Sequence, residues 1–167
     1  MSTYHYTMCG LDYVYLRNGY RYYDTAYGPG VSIEKADALD RVIASRVLTS
    51  HSRLRGQEVR FLRSLLGRSQ TALATHLGVK RITVARWEGA PNTPIPGPAD
   101  RLLRLVTAHA LFEEGFAHIL VDLLPEISDT HPNEIVMVYS PHAKAAEPSL
   151  FPDDADDGER WRPTKAA

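Results

Sequence analysis

The stretch KRITVARWE, Lys80 to Glu88, places Arg81, Ile82, Thr83 and Arg86 at spacings that one exposed side of a helix brings together. A guanidinium can donate two hydrogen bonds to guanine O6 and N7, a threonine hydroxyl can reach a base edge or a phosphate, and isoleucine can lie against a thymine methyl. Val84 and Trp87, three apart, form the opposite, inward side, and Val79 completes a small core. An isoleucine exposed between basic residues suits a groove contact; in the alternative frame Ile82 packs inside. Glu88 is expected to pair with an arginine or cap a backbone group. Eleven residues upstream of Lys80, Ser69 can cap a helix, and Gln70 falls in its first turn, where a side-chain amide and free N–H groups meet a phosphate. Without such a contact Gln70 is a surface residue. The candidate DNA-contacting set is therefore Ser69, Gln70, Lys80, Arg81, Ile82, Thr83 and Arg86.

Other chemistries find less support. Cys9 is the sole cysteine, so no intramolecular disulfide can form, and Cys9 with His5 is short of a tetrahedral metal site. His109 with Glu113 and His118 with Asp122 lie four apart but have no third ligand at matched spacing, so they read as surface pairs. No Walker loop, GxSxG or HExxH is present; neither an enzyme, a cofactor nor a metal is expected.

The elements that must position the candidate set can be read around it. Gly56 to Leu66 forms a first helix with Val59, Leu62, Leu65 and Leu66 inward and Arg55, Arg60 and Arg63 outward, ended by a left-handed Gly67. The second helix, from Ser69, turns Ala72, Leu73 and Leu77 inward, and small Ala74 permits close packing. Gly78-Val79 is the turn into the third. Gly89 to Pro98 is an extended proline loop, and a fourth helix runs to about Ala110 with a stripe of Leu102, Leu103, Leu105, Val106 and Ala110.

Over about sixty residues, inner positions, turn and caps agree with one another. SQTALATHLGVKRITVARWEG, then a proline loop and LLRLV, resembles the Cro/repressor-type (XRE) helix-turn-helix. The resemblance implies that Gln70, Arg81, Ile82, Thr83 and Arg86 meet DNA, with Ile82 standing where that family often has a polar base reader. A small β-rich segment ahead of such a unit is similar to the layout of MqsA/YgiT-type two-domain antitoxins. Their zinc-binding CxxC pairs are absent here, so metal binding is not carried over.

Eight of the nine tyrosines lie within the first 27 residues, many alternating, which indicates strands. Asn18-Gly19 suggests a hairpin from Tyr13 to Tyr23, Gly28-Pro29-Gly30 a break, and Ser32 the cap of a helix reaching Leu48 through Ala36, Leu39, Val42, Ile43 and Val47. The tyrosines are either a stacking or partner-binding face or the core and edges of a small sheet. Beyond Thr49-Ser50-His51-Ser52, a boundary, comes the helical unit. Glu113-Glu114-Gly115 interrupts it before a last helix, Phe116 to Leu124, whose apolar residues serve either a dimer or its own bundle. Ile135 to Tyr139 reads as a buried strand that can join the N-terminal sheet. Past Pro141 follows a tail with Asp153, Asp154, Asp156, Asp157 and Glu159, expected to be flexible and anchored by Trp161.

The expected fold is α+β: a β-rich domain with one helix over 1–50, a helix-turn-helix domain of four to five helices over 51–125, and a strand with an acidic tail over 126–167. The net charge of −1 conceals a division, since His51 to Leu111 holds ten Arg/Lys against three Asp/Glu, whereas the rest is neutral and then acidic. No apolar run approaches the ~18 residues of a membrane span, and the N-terminal residues show no basic-then-apolar signal pattern, which predicts a cytoplasmic protein without membrane contact. These features point to a dimeric repressor of palindromic double-stranded DNA. The alternative is an antitoxin that binds a toxin protein and represses its own operon.

Overall fold

Two short strands, β1 (Tyr4–His5) and β2 (Val14–Leu16), open the chain in the computed structural model, which describes residues 2–141 and 160–164. There follow β3 (Tyr20–Thr25), β4 (Gly28–Ile33), α1 (Ala36–Leu48), α2 (Gly56–Leu65), α3 (Gln70–Leu77), α4 (Arg81–Glu88), α5 (Gly97–Leu111) and α6 (Glu114–Leu123). A 3-10 turn (Leu124–Glu126), β5 (Ile135–Ser140) and β6 (Arg160–Pro163) complete them. The protein is thus mixed α+β, with six α-helices, a four-stranded sheet and a two-stranded ribbon among the described residues.

The sheet runs β1-β2-β5-β6, and β2 and β5 are parallel, Val14 opposite Ile135. The expected strand at Ile135 therefore does join N-terminal strands. The expected hairpin across Asn18-Gly19 does not form: β3 pairs with β4 instead, from Tyr20 opposite Ile33 to Thr25 opposite Gly28. A type I′ turn needs two positive-φ residues, but here only Gly19 has one, at 75°. Asn18 is committed elsewhere; its Nδ2 donates to the Tyr139 carbonyl at 2.9 Å and its Oδ1 accepts from the Tyr139 N–H at 2.6 Å. The side-chain amide thus bonds β5 as another strand would, and the chain leaves the sheet to form the ribbon.

Gly28-Pro29-Gly30 does not break the chain but lies in β4, where a ribbon edge tolerates a proline without N–H. Gly30 gives way to the Tyr23 ring, which a Cβ would meet at 2.6 Å. Ser32 also belongs to β4 and caps nothing; α1 starts after Lys35, held at φ 43°. The periodic Leu39, Ile43 and Val47 of α1 are buried as their spacing required. The tyrosines divide, with Tyr6 and Tyr13 in the core and Tyr22, Tyr23 and Tyr27 exposed on the ribbon.

α5 starts two residues earlier than expected, with Gly97-Pro98 in its first turn. Of the expected stripe, Leu103 is buried and Leu105 packs against the core, but Asp100, Arg104, Thr107 and Ala108 complete the inner face, and Leu102 and Ala110 are exposed. Arg104 is the centre of this inner face. Completely buried, it donates Nε to Asp100 Oδ1 (2.7 Å) and spreads its remaining N–H groups over the carbonyls of Leu48 (2.7 Å), Ser50 (2.8 Å) and Ser52 (2.6 Å). One guanidinium thereby satisfies the end of α1 and the segment after it, where a polar boundary was expected. Only Phe112 and Glu113 separate α5 from α6, since Glu114 and Gly115 are helical. On α6, Phe116 and Leu120 face inward and Ile119 and Val121 outward.

The chain returns to the sheet after Pro141. β6 pairs with β5, and Trp161 is buried against Tyr139 while its indole N–H donates to the Glu34 carbonyl at 2.7 Å. Trp161 is an anchor, as expected, but as part of a strand. The expected acidic tail, Asp153 to Glu159, lies outside the described residues. No helix among those described is long and apolar enough to cross a membrane.

Candidate nucleic-acid interface

α2, α3 and α4 follow the local rules read from the sequence. Ser69 Oγ accepts the Ala72 N–H at 3.1 Å and caps α3; Gly67 (φ 62°) and Gly78 (φ 66°) adopt the left-handed conformation at the ends of α2 and α3. Leu73, Ala74 and Leu77 of α3 and Val84 of α4 are buried, with Val79 and Trp87 packed against them. That orientation leaves Lys80, Arg81, Ile82 and Arg86 exposed and Thr83 half-buried. Ile82 is 54% exposed, so the frame that turns it outward is the one adopted.

Glu88 ties the three helices together. Its carboxylate accepts from Arg63 Nε at 2.5 Å and Arg63 NH2 at 3.0 Å, and from Gln70 Nε2 at 3.0 Å. Gln70 Oε1 in turn accepts from Arg81 NH1 at 3.0 Å. Burial by itself would raise the Glu88 pKa, but the hydrogen bonds from Arg63 and Gln70 and the Arg63 charge outweigh it and hold the carboxyl below its usual range. Arg63 was expected outside and is instead engaged by Glu88; its side chain is 18% exposed. Gln70, expected to meet a phosphate, is joined within the protein to both Glu88 and Arg81, so it fixes the direction of Arg81 as well.

Arg55 also departs from its expected outward position. It is buried, donating to the carbonyls of Asn92 (2.5 Å) and Thr130 (3.3 Å), because the chain at Arg55 forms a bridge with Pro94 beyond α4. Arg60 is exposed as expected. The next residue, Gly56, was read only as a helix start. Yet a Cβ on it would lie 1.9 Å from the Trp87 carbonyl oxygen and 2.6 Å from that of Ala90, so the start of α2 rests directly on the end of α4. The signal available in the sequence was a glycine at a first helical position, which propensity alone disfavours.

These placements sharpen the charge of the 51–111 stretch. All three of its acids are withdrawn from the surface: Glu58 and Asp100 are buried, and the Glu88 side chain is 8% exposed. Arg60, Lys80, Arg81 and Arg86 are exposed, and Arg53, Arg68 and Arg101 are half-buried. An outward field of one sign around α4 attracts anions. Among the described residues no three His, Cys, Asp or Glu side chains gather as metal ligands, and His5 and Cys9 bond to the carbonyls of Asp12 and Tyr6. Burial pushes the Cys9 thiol up to about 11, the reverse of an activated nucleophile.

No protein-family model, curated protein or solved structure matches this chain.

Proposed function

We propose that the protein is a sequence-specific DNA-binding regulator, a dimeric repressor, in which α3 and α4 form a Cro/repressor-type helix-turn-helix and α4 enters the major groove. The observation that carries this reading is the sorting of charge around α4. Every acid of residues 51–111 is buried or bonded inward, while Lys80, Arg81 and Arg86 stand outward beside an exposed Ile82. Cations without competing acids favour a phosphate backbone, and an apolar side chain among them favours thymine methyl groups. Ser69 and Gln70, at the start of α3, take the backbone-facing position, with Gln70 aligning Arg81.

A second reading, an antitoxin that binds a toxin and represses its own operon, is favoured by the exposed aromatics of the β3–β4 ribbon, Tyr22 on one face, Tyr23 on the other and Tyr27 at its turn, a residue type that interfaces use. Selection from a random DNA library by the purified full chain tests the first reading. Enrichment of a palindrome with half-sites about 34 Å apart is expected, and no enrichment at low or moderate salt would reject it.

A further inference from the structure

A cavity of about 480 Å³ lies where α1, the segment leading into α2, and the Thr130–Ile135 stretch meet. Its size falls within the range of small-molecule sites. Its buried lining combines apolar Val47 and Leu54 with Ser52 and with a polar pair, in which the Tyr13 hydroxyl donates to Glu58 Oε1 at 2.8 Å while Glu58 Oε2 accepts the Arg55 N–H at 2.7 Å. At its edge stand two arginines. Arg46 is exposed and has no acidic partner among the described residues, and Arg53 keeps a buried Nε–H that bonds to nothing described. The other Arg53 nitrogens are engaged, NH2 by the Ile95 carbonyl and NH1 by Asp129 at 4.0 Å. Arg46 and Arg53 share the rim with one exposed acid, Glu134, and the Glu58 carboxyl lies beneath beside Val47 and Leu54, so the cavity sorts a ligand by its ends. An anionic head is drawn outward to the arginines and repelled from Glu58; an apolar body fits below, and a hydroxyl on its far end can donate to Glu58.

We propose that this cavity is an effector site for a small organic carboxylate with an apolar body, the carboxylate held at the rim by Arg46 beside Arg53. The wall that contains Arg53 also reaches the helices of the candidate interface. Leu54 N–H donates to Asp100 at 2.5 Å, the Ile95 N–H donates to the Leu54 carbonyl at 2.9 Å, and Gly56 sits on the last turn of α4. A ligand seated beside Arg53 therefore acts on the segment that seats α2 against α4. This relay rests on the DNA-binding reading; the binding site does not.

The test uses the full-length protein and amide NMR titration with 4-hydroxybenzoate and benzoate, with inorganic phosphate as an anion that has no apolar body. The expected result is saturable millimolar or tighter binding of the aryl carboxylates, with shifts centred on residues 46–54 and 130–135. Binding should weaken roughly tenfold or more in Arg46→Glu, an exposed position whose unchanged melting temperature reports an intact fold. No saturable shifts there, equal binding of phosphate, or undiminished binding by Arg46→Glu would overturn the proposal. DNA binding measured with and without 4-hydroxybenzoate examines the relay alone. An operator affinity that the ligand leaves unchanged removes the relay and keeps the site, and a chain that binds the carboxylate but no DNA removes the regulator reading instead.

Discussion

Arg63 and Glu88 form a two-bond ion pair, 2.5 and 3.0 Å, that joins the last turn of α2 to the last residue of α4. The pair determines how α4 is held, because Glu88 also fixes Gln70, and Gln70 fixes Arg81.

The pair gives stability a specific dependence on pH. Glu88 has a folded-state pKa below its ordinary 4.5, so its contribution is present above about pH 4.5 and is lost as pH falls through the lower folded value. Glu88→Gln should lower the melting temperature at neutral pH and converge on the wild type in acid. Glu58, whose pKa burial raises, acts with opposite sign: its contribution is full below 4.5 and is lost as pH rises through the raised value. Glu88→Gln melting that parallels the wild type at every pH would refute the assignment.

Arg104 should be the most sensitive polar position in the chain. Removing it leaves Asp100 buried without its cation and three carbonyls without their donor. Loss of one partner of a buried ion pair typically costs about 3–5 kcal/mol, so Arg104→Ala should lose that much in denaturant unfolding, and Arg104→Lys much of it, since an ammonium cannot span the same acceptors. A change below about 1 kcal/mol would contradict the clamp.

Gly56 provides a steric test of the α2–α4 contact. Backbone oxygens at 1.9 and 2.6 Å cannot rotate away from a new Cβ, so Gly56→Ala must displace α4 and should cost at least ~2 kcal/mol, despite alanine's better helix propensity. Stabilisation by Gly56→Ala would show that the contact is absent.

How much of this was legible in the sequence follows from the range of each interaction. The α3–α4 pair was readable because Ser69, Gly78, Val84 and Trp87 act within a few residues of themselves, through a cap, a turn and one helical period. Ile82 was placed outward by the same periodicity. The rest depends on partners far along the chain. Asn18 looked like half of a turn, but its amide is engaged 121 residues away by Tyr139. Arg55 looked like an outward charge and the leucine stripe passed over Arg104, yet both side chains reach carbonyls brought close only by the finished fold. Glu88 was expected to pair with an arginine or cap a backbone group, but nothing local specified Arg63 or the further link through Gln70.

A salt titration of operator binding tests most directly whether α4 reads DNA. Fluorescence anisotropy with the selected palindrome should show log affinity falling steeply and linearly with log salt concentration. Arg86→Ala should lose ~1–3 kcal/mol and relax selectivity at one base position, whereas the distant Arg21→Ala should bind as the wild type does. Affinity that is insensitive to salt, or an Arg86→Ala protein with unchanged affinity and selectivity, would contradict α4 as the helix that reads DNA.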